Sequence, residues 1–133
     1  MLSKTFGRKN SLVSAQEALN LIKHCSPNNI PLRVLNTTYT FPVIDKDRFE
    51  FFNLKRIPNS TYFDIDAIAD LTCGIPHTAP TTPEFEKFMK ELDIAKNDVL
   101  LLYDDYSILG SSRVWFMMKH FGFQSLFFIY FNL

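Results

Sequence analysis

Glycine is scarce in this sequence: 4 residues, where average usage would give roughly 9. Gly7, Gly74, Gly110 and Gly122 are too scattered for a dinucleotide-binding G-x-G-x-x-G or a phosphate-binding P-loop, so both nucleotide fingerprints are excluded. Cysteine is scarcer still. Cys25 and Cys73 form no C-x-x-C pair and cannot build a disulfide framework, which fits a reducing compartment. His24, His77 and His120 stand far apart with no H-x-x-x-H spacing, so no metal site is expected. No apolar run approaches the roughly 20 residues of a membrane helix; the longest, from Leu126 to Phe131, reads as a buried strand. Nor is there an excess of either charge, with 14 basic and 14 acidic residues, and this argues against a dedicated nucleic-acid partner.

What is present describes one globular domain. The length of 133 residues suits a single core, and 47% hydrophobic with 21% charged residues leaves disorder unsupported. The 14 phenylalanines make the expected core aromatic. Residues 1–11 stand apart, because Lys4, Arg8 and Lys9 meet no acidic residue before Glu17. Such a stretch reads either as a short mitochondrial presequence or as a solvated tail ahead of a domain at 12–133.

Ser14-Ala15-Gln16-Glu17 has the spacing of a capping box and predicts a helix with Ala15, Ala18, Leu19 and Ile22 as its apolar stripe, ending near His24–Pro27. Leu32–Leu35 and Ser60–Phe63 are short strand candidates, and the charged segment from Asp45 to Arg56 holds a turn or two of helix. The connection from Asp64 to Pro80 is long, and long connections in compact domains are often functional. A second helix is expected with Thr82 as N-cap, Pro83 at the first helical position, and Phe85, Phe88, Met89 and Leu92 inward. Val99–Tyr103 is an unbroken apolar run, the pattern of a central parallel strand covered on both faces. A third helix capped by Ser111 or Ser112 and stopped at Gly122 leads to a last strand over Ser125–Tyr130. Strands alternating with helices predict an α/β domain of three layers around a parallel sheet.

Several constellations in the sequence bear on chemistry. Six residues after Cys73 stands Ala79 and six after Cys25 stands Pro31, so the phosphatase spacing of Cys and Arg is missing. Cys73 then reads as a loop cysteine. In α/β sheets chemistry gathers where a strand's carboxyl end meets the next helix, here Tyr103-Asp104-Asp105 through Arg113. The paired aspartates serve there either as acid and base or as polar strand ends, and Arg113 either holds an anion or pairs with Asp104 or Asp105. Asp64-Ile65-Asp66 followed by His77 permits a carboxylate that orients an imidazole, the logic of a catalytic triad, although loop aspartates more commonly cap turns.

Leu12-Val13-Ser14-Ala15-Gln16, Arg56-Ile57-Pro58-Asn59-Ser60 running into Tyr62-Phe63-Asp64-Ile65-Asp66, and Pro76-His77 together resemble the N-terminal domain of two-domain rhodaneses. Pro83-Glu84-Phe85, Leu102-Tyr103-Asp104 and Arg113-Val114-Trp115 extend the likeness over nearly the whole chain. Within that superfamily the sequence is most similar to the 3-mercaptopyruvate sulfurtransferases, including fungal relatives linked to transfer-RNA thiolation.

The resemblance implies a rhodanese-like three-layer fold and sulfur transfer from mercaptopyruvate or thiosulfate through a cysteine persulfide to thioredoxin or another protein thiol, with no cofactor. It assigns Asp66 and His77 to pairing with a serine of a second, C-terminal domain that carries the catalytic cysteine. It places Asp104 where a catalytic domain has that cysteine, so this domain is expected to be of the non-catalytic type and inactive alone. Asn36 replaces a customary aspartate, and Cys73-Gly74 a customary Ser-Pro. The sequence is expected to stop short of the family's closing helix, leaving an apolar face prone to self-association through Leu126–Phe131. The rival reading is a stand-alone, non-catalytic interaction module. Mitochondrion or cytoplasm is the expected location.

Overall fold

The computed structural model describes residues 11–39 and 47–130. Residues 1–10, 40–46 and 131–133, which include the basic tail, the start of the 45–56 segment and the end of the 126–131 run, lie outside the described residues.

Strand β1 (Leu12–Val13) leads through Ser14 into helix α1 (Ala15–Cys25), and β2 (Leu32–Asn36) follows. Helix α2 (Arg48–Leu54), strand β3 (Ser60–Tyr62), helix α3 (Thr82–Glu91), strand β4 (Val99–Tyr103), helix α4 (Leu109–His120) and strand β5 (Leu126–Ile129) complete the order. The five strands form one sheet in the order β1-β5-β4-β2-β3, every pair parallel. No described helix is long and apolar enough to cross a membrane.

β4 lies at the centre and is buried throughout, as its apolar run requires. Alternation sends Leu100 and Leu102 to one face, against Phe85 and Met89 of α3 and Val114, Met117 and Met118 of α4. It sends Val99, Leu101 and Tyr103 to the other, against Ala18, Leu21 and Cys25 of α1. The α/β architecture of three layers is therefore as the sequence predicts. The aromatic core is real: Phe85 stacks on Phe121 with ring centres 3.9 Å apart.

Local signals fare unevenly. The capping box of α1 is present, with Glu17 N–H donating to Ser14 Oγ at 3.2 Å and Ser14 N–H to Glu17 Oε2 at 2.7 Å. Its buried stripe is Ala18, Leu21 and Cys25, with Ile22 partly buried beside it, whereas Ala15 and Leu19 are exposed. The N-cap of α3 is Thr81, not Thr82; the Glu84 carboxylate takes both the N–H and the hydroxyl of Thr81, which sets the helix one residue earlier. α4 begins at Leu109, ahead of Ser111 and Ser112. Ser111 is no cap because it is fully buried against Thr37, Oγ to Oγ1 at 2.9 Å. β1 escaped the sequence reading; two residues carry no periodicity, and its existence depends on β5 beside it.

Leu126–Ile129 forms a strand paired on both edges, with β1 and β4, and its Leu126 and Ile129 are buried, as the apolar run predicts. What stays open is a groove of about 650 Å³ beside α1, lined in part by Leu19, Ile22, Ile57, Tyr103 and Ile129.

Gly110 fixes where α4 meets the sheet. A Cβ built there would lie 1.9 Å from the Thr37 carbonyl oxygen and 2.8 Å from Asp104 Oδ2, so the helix could not approach β2 with any side chain at this position. Gly110→Ala should destabilise the fold by about 3 kcal/mol, the upper end for overpacking a rigid site, read as a lower denaturant midpoint. A midpoint within error of wild type would show that α4 can shift away.

Candidate functional site

The carboxyl ends of β2 and β4, together with loop 64–80, build the one place where the sequence-predicted site residues meet. Ile65, Ile68 and Ala69 are buried and anchor the loop's first half. Asp64 Oδ1 accepts the N–H groups of Asp66 at 3.0 Å and Ala67 at 3.3 Å, turning the chain. Asp70 N–H donates to the Thr78 carbonyl at 2.9 Å, closing the loop on itself. At its far end His77 has φ +60°, a left-handed conformation that L-residues adopt only under constraint and that clusters at functional sites. The constraint is visible: Arg113, in the first turns of α4, donates from Nη2 to the His77 carbonyl.

The loop brings Asp66 and His77 together, with Asp66 Oδ1 3.0 Å from His77 Nδ1. The two atoms are in close contact, but the ring is not aligned for a hydrogen bond. Both side chains are partly exposed, 44% for Asp66 and 34% for His77, so the pair faces outward. Two further residues complete the cluster. The Tyr39 hydroxyl lies 3.1 Å from His77 Nε2, and its ring meets the imidazole edge-on at 4.9 Å. Arg48, the first residue of α2, donates from Nη2 to Asp66 Oδ2 and sits with its guanidinium carbon 5.4 Å from the centre of the Tyr39 ring. Burial works against the Arg48 charge, but the bond to Asp66 and the nearby Tyr62, Asp66 and Asp64 outweigh it and raise its pKa above the ordinary value. Beside the dyad opens a cleft of about 200 Å³ lined by Tyr39, Ile65, His77, Leu109, Gly110 and Arg113.

Asp104 lies apart from this pair and has a different surrounding. It is buried at the end of β4. Its Oδ1 accepts N–H bonds from Tyr106 at 2.9 Å and Ser107 at 3.0 Å, while Oδ2 accepts that of Gly110 at 3.0 Å. The loop's convergent N–H groups thus close on the chain's own carboxylate. Burial raises the Asp104 pKa, opposed by those three bonds and aided by Asp105. Neither Asp104 nor Asp105 pairs with Arg113, contrary to the expected ion pair, because the guanidinium is taken up by the His77 carbonyl.

No protein-family model matches the chain. It is 27% identical over 122 residues to thiosulfate/3-mercaptopyruvate sulfurtransferase 1, mitochondrial, of Arabidopsis thaliana, over 90% of this chain and 32% of that protein. The crystal structure of Tum1 from Saccharomyces cerevisiae superimposes with a TM-score of 0.81 at 30% identity, covering 89% of this chain and 38% of that one. SseA from Escherichia coli, described under the rhodanese fold of 3-mercaptopyruvate sulfotransferases, shares the fold with a TM-score of 0.79 at 23% identity over 91% of this chain and 45% of its own. This chain has the rhodanese fold and is similar to the sulfurtransferases over about 90% of its length. It spans between about a third and somewhat under half of the length of these relatives.

Within the rhodanese domain both thiols are placed away from the cleft's lining. Cys25 is buried under α1, where burial raises its pKa. Cys73 is exposed, its Sγ facing the carbonyl oxygens of Asp70 at 3.5 Å and Ile75 at 3.6 Å, acceptors that give a thiolate no support. The R-I-P-N-S segment owes its pattern to Tyr103: the tyrosine hydroxyl accepts from Ile57 N–H at 3.2 Å and meets Ser60 Oγ at 3.0 Å, while Asn59 turns the chain at φ +61°.

Asn36 does more than the sequence reading granted. Its Nδ2 donates to Asp105 Oδ2 at 2.7 Å and its Oδ1 accepts from Thr38 N–H at 3.0 Å. Only an amide satisfies both. Asn36→Asp would set two carboxylates in contact, and it should cost about 2–3 kcal/mol at neutral pH and recover part of that on acidification, as one proton becomes shared. Equal losses at pH 5 and pH 8 in urea titrations would contradict this.

Asp104 gives a signed pH effect. Its pKa is raised in the folded state, so between the unfolded and folded values the folded chain holds the extra proton and stability from this group rises as pH falls. The wild-type unfolding free energy minus that of Asp104→Asn should therefore grow as the pH is lowered through the acid range. A difference that shrinks on acidification would mean the three N–H bonds outweigh burial.

Proposed function

We propose that this domain is the non-catalytic, N-terminal half of a two-domain sulfurtransferase that moves sulfur from mercaptopyruvate, with thiosulfate as second donor, to a thiol acceptor such as thioredoxin. The observation that carries this reading is the Asp66–His77 pair, held at 3.0 Å on a constrained loop at the sheet's carboxyl edge. In the proposed role Asp66 orients the imidazole, and His77 takes the proton of a serine hydroxyl on the partner domain, beside the cysteine that carries the persulfide. The division of labour is supported by Asp104. A carboxylate bound by the N–H groups of its own loop cannot carry sulfane sulfur and occupies the donors a persulfide would use.

Exposed apolar side chains flank the dyad, Leu71 and Ile75 on the His77 loop and Tyr106 and Leu109 on the loop after β4, which suits a face that another domain covers. A mitochondrial location agrees with the name of the Arabidopsis relative.

The experiment joins this chain to the cysteine-bearing half of Tum1 and follows sulfur transfer from 3-mercaptopyruvate to a thiol. His77→Ala should lower kcat about 100-fold, the usual worth of a positioned proton acceptor, and Asp66→Asn nearly as much. The chain by itself should show no turnover and no change on Cys73→Ser. Robust turnover by the isolated chain, abolished by Cys73→Ser, would overturn the reading, as would a joined protein indifferent to His77→Ala.

A further inference from the structure

The residues around His77 include two from outside its own loop, Arg48 and Tyr39. Asp66 is half exposed on a turn, and a carboxylate so placed keeps its rotamer freedom unless something outside the loop takes it up. That partner is Arg48. Its side chain is only 18% exposed, it starts a helix capped by Asp47, whose Oδ1 accepts the N–H groups of Phe49 at 3.0 Å and Glu50 at 3.1 Å, and it bonds Asp66 Oδ2, leaving Oδ1 for His77. The guanidinium then lies against the face of Tyr39, whose hydroxyl is on the opposite side of the imidazole. One planar cation therefore touches both groups that flank the ring.

The proton positions follow from donor and acceptor inventory. A carboxylate facing Nδ1 accepts only, so the neutral tautomer with its proton on Nδ1 suits both neighbours: it sets a donor toward Asp66 Oδ1 and leaves Nε2 to accept from the Tyr39 hydroxyl. Nε2 is the atom that would take a proton from a hydroxyl, and Tyr39 already shows it one.

We propose that Arg48 is the positioning residue of this site: by holding Asp66 at Nδ1 and Tyr39 at Nε2 it presets the His77 imidazole, as the Nδ1–H tautomer, within this domain and before any other domain docks. The importance of that tautomer for sulfur transfer rests on the proposed role of His77; the presetting itself does not.

Nitrogen-15 multiple-bond spectra of the full chain read the tautomer directly. Wild type should show His77 with a pyrrole-type Nδ1 and a pyridine-type Nε2. In Arg48→Met the two nitrogen shifts should converge as the tautomers average, and in Arg48→Lys, which keeps the charge without the planar fork, they should move about half as far. Folded Arg48→Met with unchanged His77 shifts would overturn the proposal. Loss of the fold in both variants would overturn it too, by assigning Arg48 to stability instead. In the protein joined to the Tum1 half, Arg48→Met should lower kcat about tenfold with KM unchanged. Averaged tautomers together with a joined protein indifferent to His77→Ala would sink the reading of His77 and leave the presetting by Arg48 standing.

Discussion

The carboxyl edge of this sheet is organised by the approach of the first turn of α4 to the Thr37 carbonyl, a distance that only a hydrogen atom at Gly110 allows. Because the helix enters there, its N–H at Gly110 reaches Asp104 Oδ2, Ser111 reaches Thr37, and Arg113 projects to the His77 carbonyl. Those bonds tie together the end of β2, the loop after β4 and the end of loop 64–80. Move the helix outward and the cleft loses a wall, while His77 loses the bond that steadies its left-handed backbone.

Two loops at this edge thus have opposite electrostatic characters. The one after β4 is turned inward and satisfied, its N–H groups spent on Asp104. The one carrying His77 is turned outward, its dyad partly exposed and flanked by exposed apolar side chains. On the proposed reading, an inward carboxylate and an outward imidazole on neighbouring loops suit a domain that presents chemistry without holding the reacting sulfur. The thiols agree, since one is core and the other is surrounded by carbonyls.

The parts of the fold with strong periodicity were legible in the sequence. The double-faced burial of Val99–Tyr103 follows from an unbroken apolar run, and the start of α1 from Ser14 and Glu17. Features that depend on residues distant in sequence were not. The true start of α4 is set by a glycine against Thr37, which no local capping rule foresees, and Ser111 looks like a cap only until Thr37 is seen beside it. Asp66, His77 and Asp104 were candidates from their place along the chain, and the resemblance gave them their proposed roles. Tyr39 and Arg48 were missed altogether. One lies in a run of threonines and the other in a charged segment, and only folding brings α2 and the end of β2 to the same imidazole.

The pairing of β1 with β5 carries one more consequence. Leu12 faces Phe128 and Val13 faces Ile129, so the first strand of the described chain has no neighbour in the sheet except the last. On a ribosome β1 must wait, unpaired, until β5 emerges. Contacts this distant in sequence slow folding, because the intervening chain has to be ordered before the bond is gained. Completion of the sheet is therefore a late, all-or-none event, and the order of synthesis makes β5 the latch that closes it.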